Sequence, residues 1–370
     1  MRRISILLFT FVTFLVSGAW PQSDAPKKEP TIITVDPPGS IYTLALAINP
    51  SGAIAGWYIA NNMAHGFLRA KDGTFTSFDA PGLSNTGAFS INPSGAITGY
   101  FVDASNVSHG FLRASDGTIT TFDAPGAGTN GASGQGTFAY NINPAGAVAG
   151  DYIADDNVFH LFLRAPDGTI TTFDAPGAGT GTGQGTEMGS VENLNSAGAI
   201  AAGYFNTGSL FSGTQLYHGA VRAPDGTFTE FDVPGAGTGP GQGTDPGGIN
   251  PAGTVTGIYI DSSGMAHGFL RAKDGTITKF DVPGAGTGGG QATFGENINT
   301  PGDVDGMYID GSGVNHGFVR SKQGDITTFD VPGAGTGVGQ GTLPGGINPA
   351  GAITGYYIDS NNVFHGFLRK

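Results

Sequence analysis

The chain contains no cysteine in its 370 residues, which excludes disulfides, thiolate metal sites and a lipid-modified N-terminal cysteine. Charged side chains make up only 12% of it. Lysine and arginine number 16 against 29 aspartates and glutamates, a net charge of −13. Without basic patches, nucleic acid and anionic membrane surfaces are not expected partners. No segment repeats apolar residues with a 3.6 period over ten or more positions, so helical bundles and helical solenoids are excluded. Collagen and heptad periods are missing too. The one long apolar run, Ile4 to Val16, is too short to span a bilayer.

Glycine is what the chain has instead, 66 residues of it, and glycine disfavours helix interiors while supplying tight turns. Arg2 and Arg3, the apolar run and the small residues Ser17-Gly18-Ala19 together read as an export signal over residues 1–19. The general secretory route suits it better than the twin-arginine route. Residues 20–30 carry three prolines and no periodicity, the pattern of a disordered linker. The mature chain is therefore expected to be secreted or periplasmic, without membrane insertion, and monomeric.

From residue 31 to 370 one unit recurs, typified by Ile91-Asn92-Pro93-Ser94-Gly95-Ala96-Ile97-Thr98-Gly99-Tyr100 followed by His109-Gly110-Phe111-Leu112-Arg113. Ile/Leu-Asn anchors begin at 48, 91, 142, 194, 249, 298 and 347, which defines seven copies. Each contains four short runs of strand character, in copy two Ala88–Ile91, Ala96–Val102, His109–Ala114 and Thr118–Asp123. Repeats of this size with four strands each predict an all-β fold, a seven-bladed β-propeller of four antiparallel strands per blade. In Ala165-Pro166-Asp167-Gly168-Thr169 the proline suits a type I turn closed by a left-handed glycine. That three-residue loop places Leu163 opposite Thr171 and His160 opposite Asp174. The same spacing of 14 residues pairs His65 with Asp79, His109 with Asp123, His218 with Asp232, His267 with Asp281 and His316 with Asp330. His365 has no aspartate downstream, but Asp36 in Thr31-Ile32-Ile33-Thr34-Val35-Asp36 matches the missing closing strand. Residues 31–36 are thus expected to complete the C-terminal blade and close the ring.

Asn92-Pro93-Ser94-Gly95-Ala96-Ile97-Thr98-Gly99 and His109-Gly110-Phe111 resemble the bacterial HAF-type extracellular repeats, named for a His-Ala-Phe tripeptide after an Asn-x-x-Gly-x-(Val/Ile)-x-Gly segment. The resemblance covers residues 31–370. Glycine replaces the alanine, and Leu161 replaces it in copy three. It implies an exported repeat protein and no defined activity.

All seven histidines belong to the repeat. A catalytic site needs one arrangement unlike its neighbours, so seven equivalent His/Asp pairs read as structural clasps that fix register, with no metal site and no required cofactor. Aspartate-rich turns, Asp103-Ala104-Ser105-Asn106, Asp155-Asp156-Asn157, Asp261-Ser262-Ser263-Gly264, Asp310-Gly311-Ser312-Gly313 and Asp359-Ser360-Asn361-Asn362, could carry Ca2+, with Asp303 and Asp305 adding to copy six. They lack the glutamate of an EF-hand loop and suit ordinary hairpin turns. The glycine-rich stretches such as 234–244 precede strands and carry no lysine, which excludes a phosphate loop. Divergence between copies marks the candidate binding residues. Copy four has a long uncharged turn with Leu210, Phe211 and Tyr217; Glu187, Glu192 and Glu296 precede inner strands, and Tyr140 holds the place of Glu192 and Glu296 in copy three. Because charged residues are mostly exposed, solvated surface glutamates are the favoured reading of these three. The expectation is a non-catalytic module that binds extracellular polysaccharide or protein. The competing expectation is a carbohydrate hydrolase or lyase using carboxylates at the channel mouth.

Overall fold

The computed structural model describes residues 30–82, 85–188, 192–288 and 291–370. The expected signal segment 1–19 and nearly all of the expected linker 20–30 lie outside the described residues. Thr31–Lys370 is a compact unit of its own. Among the described residues there are strands and two short 3-10 turns, Gly131–Ser133 and Leu210–Ser212, and no α-helix.

Each copy folds locally because its turns close themselves. In copy two Asn92 Oδ1 accepts hydrogen bonds from the Ser94 and Ala96 N–H groups and from the Ser94 hydroxyl, and Gly95 takes the φ of +85° that ends this turn. Asp103 Oδ1 accepts from Ser105 N–H and Val107 N–H, each at 2.8 Å. Asp116 Oδ1 accepts from Thr118 N–H at 2.8 Å. Short polar side chains thereby satisfy turn backbone that no ladder reaches. Between the turns run four antiparallel strands, Asn85–Ile91, Ile97–Val102, Ser108–Arg113 and Ile119–Phe122. Their ends differ from the sequence expectation by up to three residues, since ladder pairing rather than hydrophobicity sets them. In copy three Leu163 pairs with Thr171 and Arg164 with Ile170, and Ala165 N–H reaches Thr169 O at 2.8 Å, the register that the Pro-Asp-Gly turn dictates.

Neighbouring copies are joined in four ways. The closing-strand phenylalanine packs edge-on against the third-strand phenylalanine of the next copy, as Phe78 does on Phe111 at 6.0 Å and Phe122 on Phe162 at 5.9 Å. In copies two to seven the arginine four residues after the histidine lies over a closing-strand phenylalanine of the preceding copy, Arg113 over Phe78 at 4.9 Å and Arg369 over Phe329 at 4.7 Å. Ala124 N–H donates to Thr137 Oγ1 and Val331 N–H to Thr342 Oγ1, each at 2.9 Å. Finally, single parallel bridges such as Ser108 to Gly136 bring backbones so close that a Cβ on Gly136 would lie 2.2 Å from Ser108 O.

Two connections link the chain's ends. Ile32–Thr34 pairs antiparallel with Phe364–Arg369, Ile33 opposite Leu368. The seven anchor asparagines also form a circuit: Asn49 Nδ2 donates to Asn92 O, and the series continues through Asn143, Asn195, Asn250, Asn299 and Asn348, whose Nδ2 returns to Asn49 O at 3.2 Å. The strand ladders themselves are not continuous around the molecule and form three sheets.

Candidate binding cavity

Alternate residues of each first strand point away from the core that the copies share. At two such levels the copies carry Leu44 and Leu46, Gly87 and Phe89, Phe138 and Tyr140, Glu187, Asp245 and Gly247, Phe294 and Glu296, and Leu343 and Gly345. The second strand adds one residue in register: Trp57 opposite Leu44, Tyr100 opposite Gly87, Asp151 opposite Phe138, Met307 opposite Phe294 and Tyr356 opposite Leu343. Asp245, Glu296, Phe294, Met307, Leu343 and Tyr356 line a cavity of about 320 Å³. A second cavity, about 180 Å³, is walled by the Ile/Leu-Asn anchors of all seven copies together with Glu192. Among the described residues no lysine, arginine or histidine lines either one.

The carboxyl groups therefore titrate abnormally. Burial pushes Asp245 up to about 7, and Asp245 Oδ1 is buried without a hydrogen-bond partner. Asp151 is also raised to about 7 by burial, against the opposing Met188 N–H, which donates to its Oδ2 at 3.2 Å. Glu187 lies well above the carboxylate range through burial and then the charges of Asp245 and Asp151. Around Asp305 a second group forms. Burial and then Asp305 raise Glu296 to about 8, and the same two causes lift Glu192 well above its ordinary value, opposed by Ile347 N–H of copy seven. Asp305 itself is raised to about 7 by burial, opposed by Asn297 across the ladder. Glu192, Glu296 and Asp245 keep some accessible surface where the cavities reach them and Glu187 is likewise half-buried, yet burial dominates the titration of all four. This corrects the solvated reading of the three glutamates: general exposure of charge assumes a convex surface, and these residues face inward.

Two aromatic clusters accompany the acids, and Tyr356 of the second lines the larger cavity. Phe89, Tyr100, Phe138 and Tyr140 form one cluster, with Tyr100 stacked 4.9 Å from Phe89 and Tyr140 edge-on to Phe89 at 5.5 Å. Tyr42, Trp57, Tyr356 and Phe364 form another, Tyr42 lying 4.4 Å from Phe364. Burial, then Asp151, raises the Tyr140 hydroxyl far above its usual value. Tyr217 is pushed up to about 12 by burial and Asp245.

The charges of Asp151 and Asp245 thus act on Tyr140, Glu187 and Tyr217, and that of Asp305 on Glu192 and Glu296, while Tyr217 itself packs on the cluster of Ile153, Phe159 and Phe205. Leu210 and Phe211 do not join them. Leu210 packs on the cluster of Ile153, Phe159 and Phe205, and Phe211, 53% exposed, lies 5.6 Å from Phe159. Asp151 and Asp245 were missed from the sequence; the available signal was an acid at positions that sister copies fill with Tyr100 or Met307, and with Phe138 or Phe294. Also missed were the glutamines that fasten the glycine-rich loops: Gln242 Oε1 accepts from Gly239 N–H at 2.8 Å while its Nε2 donates to Ser262 O at 3.2 Å.

The histidines lie elsewhere, on the loop side of the third strands. Each Nδ1 contacts a closing-strand aspartate at 2.7–3.1 Å: His65–Asp79, His109–Asp123, His160–Asp174, His218–Asp232, His267–Asp281, His316–Asp330 and His365–Asp36. In four copies Nε2 faces the turn aspartate, as His109 faces Asp103 Oδ2 at 3.4 Å. The imidazole stands between the two carboxylates, so they cannot converge on one ion. Asp303 is remote from Asp305 in role: its Oδ1 accepts from Lys322 N–H at 3.0 Å. Among the described residues no three His, Asp or Glu side chains gather as metal ligands do.

No family model and no curated protein sequence matches the chain. Among solved structures, a streptogramin B lyase superposes with a TM-score of 0.55 at 14% identity, over 92% of this chain and 97% of that one. Virginiamycin B lyase from Staphylococcus aureus gives 0.56 at 14% identity, over 92% and 99%. A prolyl endopeptidase gives 0.54 at 10% identity, over 90% of this chain and 50% of that one. At these identities the likeness is one of fold: the chain is all-β and propeller-like.

Proposed function

We propose that the protein is an exported seven-bladed propeller of the HAF type, closed by its N-terminal strand, that binds extracellular glycan or protein through its inward-facing acid and aromatic walls. The observation that carries the binding reading is the cavity formed by Asp245, Glu296, Tyr356 and Phe294, where ionisable groups adjoin apolar ring faces without any basic residue. Concave, mostly apolar cavities with a few convergent polar groups are where small ligands bind. The asparagine circuit and the pairing of Ile32–Thr34 with Phe364–Arg369 support closure. Seven near-identical His/Asp contacts support a structural role for the histidines, since none differs from its neighbours as a catalytic residue would.

A carbohydrate-active enzyme is the second reading. It is favoured by carboxyls held near 7 to 8 at Asp245 and Glu296, where a general acid works at neutral pH. A glycan array probed with the mature chain, followed by assay of each bound glycan for new reducing ends or unsaturated products, separates the two. Binding without turnover is the expected result. Turnover abolished by Asp245→Asn or Glu296→Gln would establish the enzyme instead, and loss of all binding would remove the cavity from consideration. Cleavage before Trp20 in exported protein, read by N-terminal sequencing, checks the signal.

A further inference from the structure

Among the described residues the two cavities share no lining residue. Residues five and three positions before the anchors, such as Leu343 and Gly345, wall the larger one, and the anchors themselves wall the smaller. The layer three positions before the anchors separates them. There Phe89 and Tyr140 stand edge-on at 5.5 Å and fill the space beside copies two and three. Copies five and seven carry only Gly247 and Gly345 at that level, so their side needs another filler, and Glu192 of copy four supplies it. Ile347 N–H of copy seven donates to the Glu192 carboxyl group, and a Cβ on Gly346 would lie 3.4 Å from Glu192 Oε1. Copies four and seven are not neighbours in the asparagine circuit, so this one side chain crosses the enclosed space. The sequence allows for the reach: ten positions separate Gly185 from its anchor Asn195, where seven separate Gly136 from Asn143 and Gly243 from Asn250. Glu192 O accepts from Ile249 N–H at 2.9 Å and Asn193 Nδ2 donates to Gly247 O at 2.8 Å. These bonds hold the backbone of 192–193 against copy five, from where the side chain extends to copy seven.

We infer that Glu192 is a plug: it closes the passage between the two cavities, so that the larger one is a blind pocket open only on the side of the glycine-rich loops. Glycine at 345 and 346 leaves room for the carboxyl group, and the bond it accepts satisfies the N–H of Ile347, a residue only 3% exposed, which would otherwise cost the energy of a buried unmade hydrogen bond. The first strands run from the glycine-rich loops to the anchors, and the larger cavity lies at the loop end of them. The next step rests on the reading of that cavity as the binding site. A blind space of about 320 Å³, at the lower end for small-molecule sites, admits the end of a polymer and not its middle. For the glycan ligand proposed above, that end is the terminal sugar unit.

The test of the plug needs no ligand. The chain has no cysteine, so Thr300→Cys, at an exposed residue lining the smaller cavity, and Leu343→Cys in the larger one supply the only thiols. Six register positions separate the two, about 20 Å along a strand, and a bis-maleimide of that span joins them only through the enclosed space, because the way round the outside passes the four strands of a copy twice. Mass spectrometry of the intact mature chain should find no cross-link in this background or with Glu192→Gln added, which keeps the side-chain length, and a cross-link once Glu192→Ala removes the plug. Glu192→Ser, whose hydroxyl keeps the vacated space polar, serves the same purpose should the alanine variant fail to fold. A cross-link with Glu192 in place, or none in the folded small-residue variants, would overturn the plug. For the ligand, each glycan that an array retains is titrated as chains of increasing length, with light scattering to count protein per chain. One protein molecule per free end at every length is expected. A count that grows with chain length would overturn end-first binding and leave the plug and the binding reading standing. An array that retains nothing would overturn the binding reading and end-first binding with it, while the cross-link still decides the plug.

Discussion

Single side chains here are asked to do two jobs at once, and the anchor asparagines show how much rests on one residue. Asn348 Oδ1 accepts from the Ala350 and Ala352 N–H groups at 3.0 Å each, while Nδ2 donates to Asn49 O of the first copy. The residue is 3% exposed. Asn348→Ala would strand two N–H donors and one carbonyl, and leaving buried polar groups unmade costs about 1–3 kcal/mol each. We expect a loss of about 2–4 kcal/mol in urea unfolding, because turn backbone can recover part of its bonding from water. Asn348→Asp keeps the two acceptor bonds but buries a carboxylate oxygen against the Asn49 carbonyl, so at neutral pH it should lose at least as much as the alanine variant and recover in acid, where a protonated carboxyl can donate again. If both variants unfold with the parent, the circuit is incidental. The asparagines were visible as repeat anchors, but their second bond was not: one copy says nothing of where the next copy's carbonyl will stand.

Strands and turns were more legible than the places where they meet. Proline at 166 and glycine at 168 restrict the hairpin to one loop type, so the register followed without any knowledge of the tertiary fold. Asp36 could likewise be matched to His365 because both ends of the chain carry fragments of one unit. The inward carboxylates could not be placed this way. Asp151 belongs to a second strand, and its nearness to Glu187 of another copy depends on how copies are arranged about the cavity. The N-terminal strand gives the element-scale prediction. Thr31 and Lys370 exchange backbone hydrogen bonds at 2.9 Å, and Val35 N–H reaches Gly366 O at 2.7 Å. Deleting residues 31–36 would free the edge of Phe364–Arg369 and leave His365 without Asp36. Unpaired strand edges template association, so size-exclusion chromatography should show oligomers or aggregate and thermal scans a lower melting temperature. A deletion variant as monomeric and as stable as the parent would count against closure.

At the scale of the whole molecule, the acidic interior ties stability to pH, and its sign follows from which state holds more protons. Asp151, Asp245, Asp305 and Glu296 have folded-state values of about 7 to 8, whereas unfolded carboxyls titrate near 4. Between about pH 4 and pH 8 the folded chain therefore binds more protons than the unfolded one, and stability must fall as pH rises through that window. His160 and His218 act in the same direction: hydrogen bonds to Asp174 and Asp232 raise them, so what they contribute is complete below the unfolded value and is lost as pH climbs past the folded one. On the acid side the order reverses. The turn aspartates Asp116, Asp167 and Asp225 are held low by backbone hydrogen bonds from Thr118, Thr169 and Thr227, and Asp261 lies at about 2; their stabilisation disappears as pH falls toward those values. Melting temperature should accordingly peak in mildly acid solution and decline through neutrality into the alkaline range, rather than plateau from about pH 5 to pH 8 as in many proteins. The double variant Asp245→Asn with Glu296→Gln removes two of the raised groups without changing shape, and its melting curve should be flatter above neutrality than the parent's. A parent protein whose melting temperature rises between pH 5 and pH 8 would mean that these carboxyls are ionised in the folded state. Such a rise would remove the buried acids as the source of the pH dependence and leave the turn aspartates, whose values are lowered, to set it.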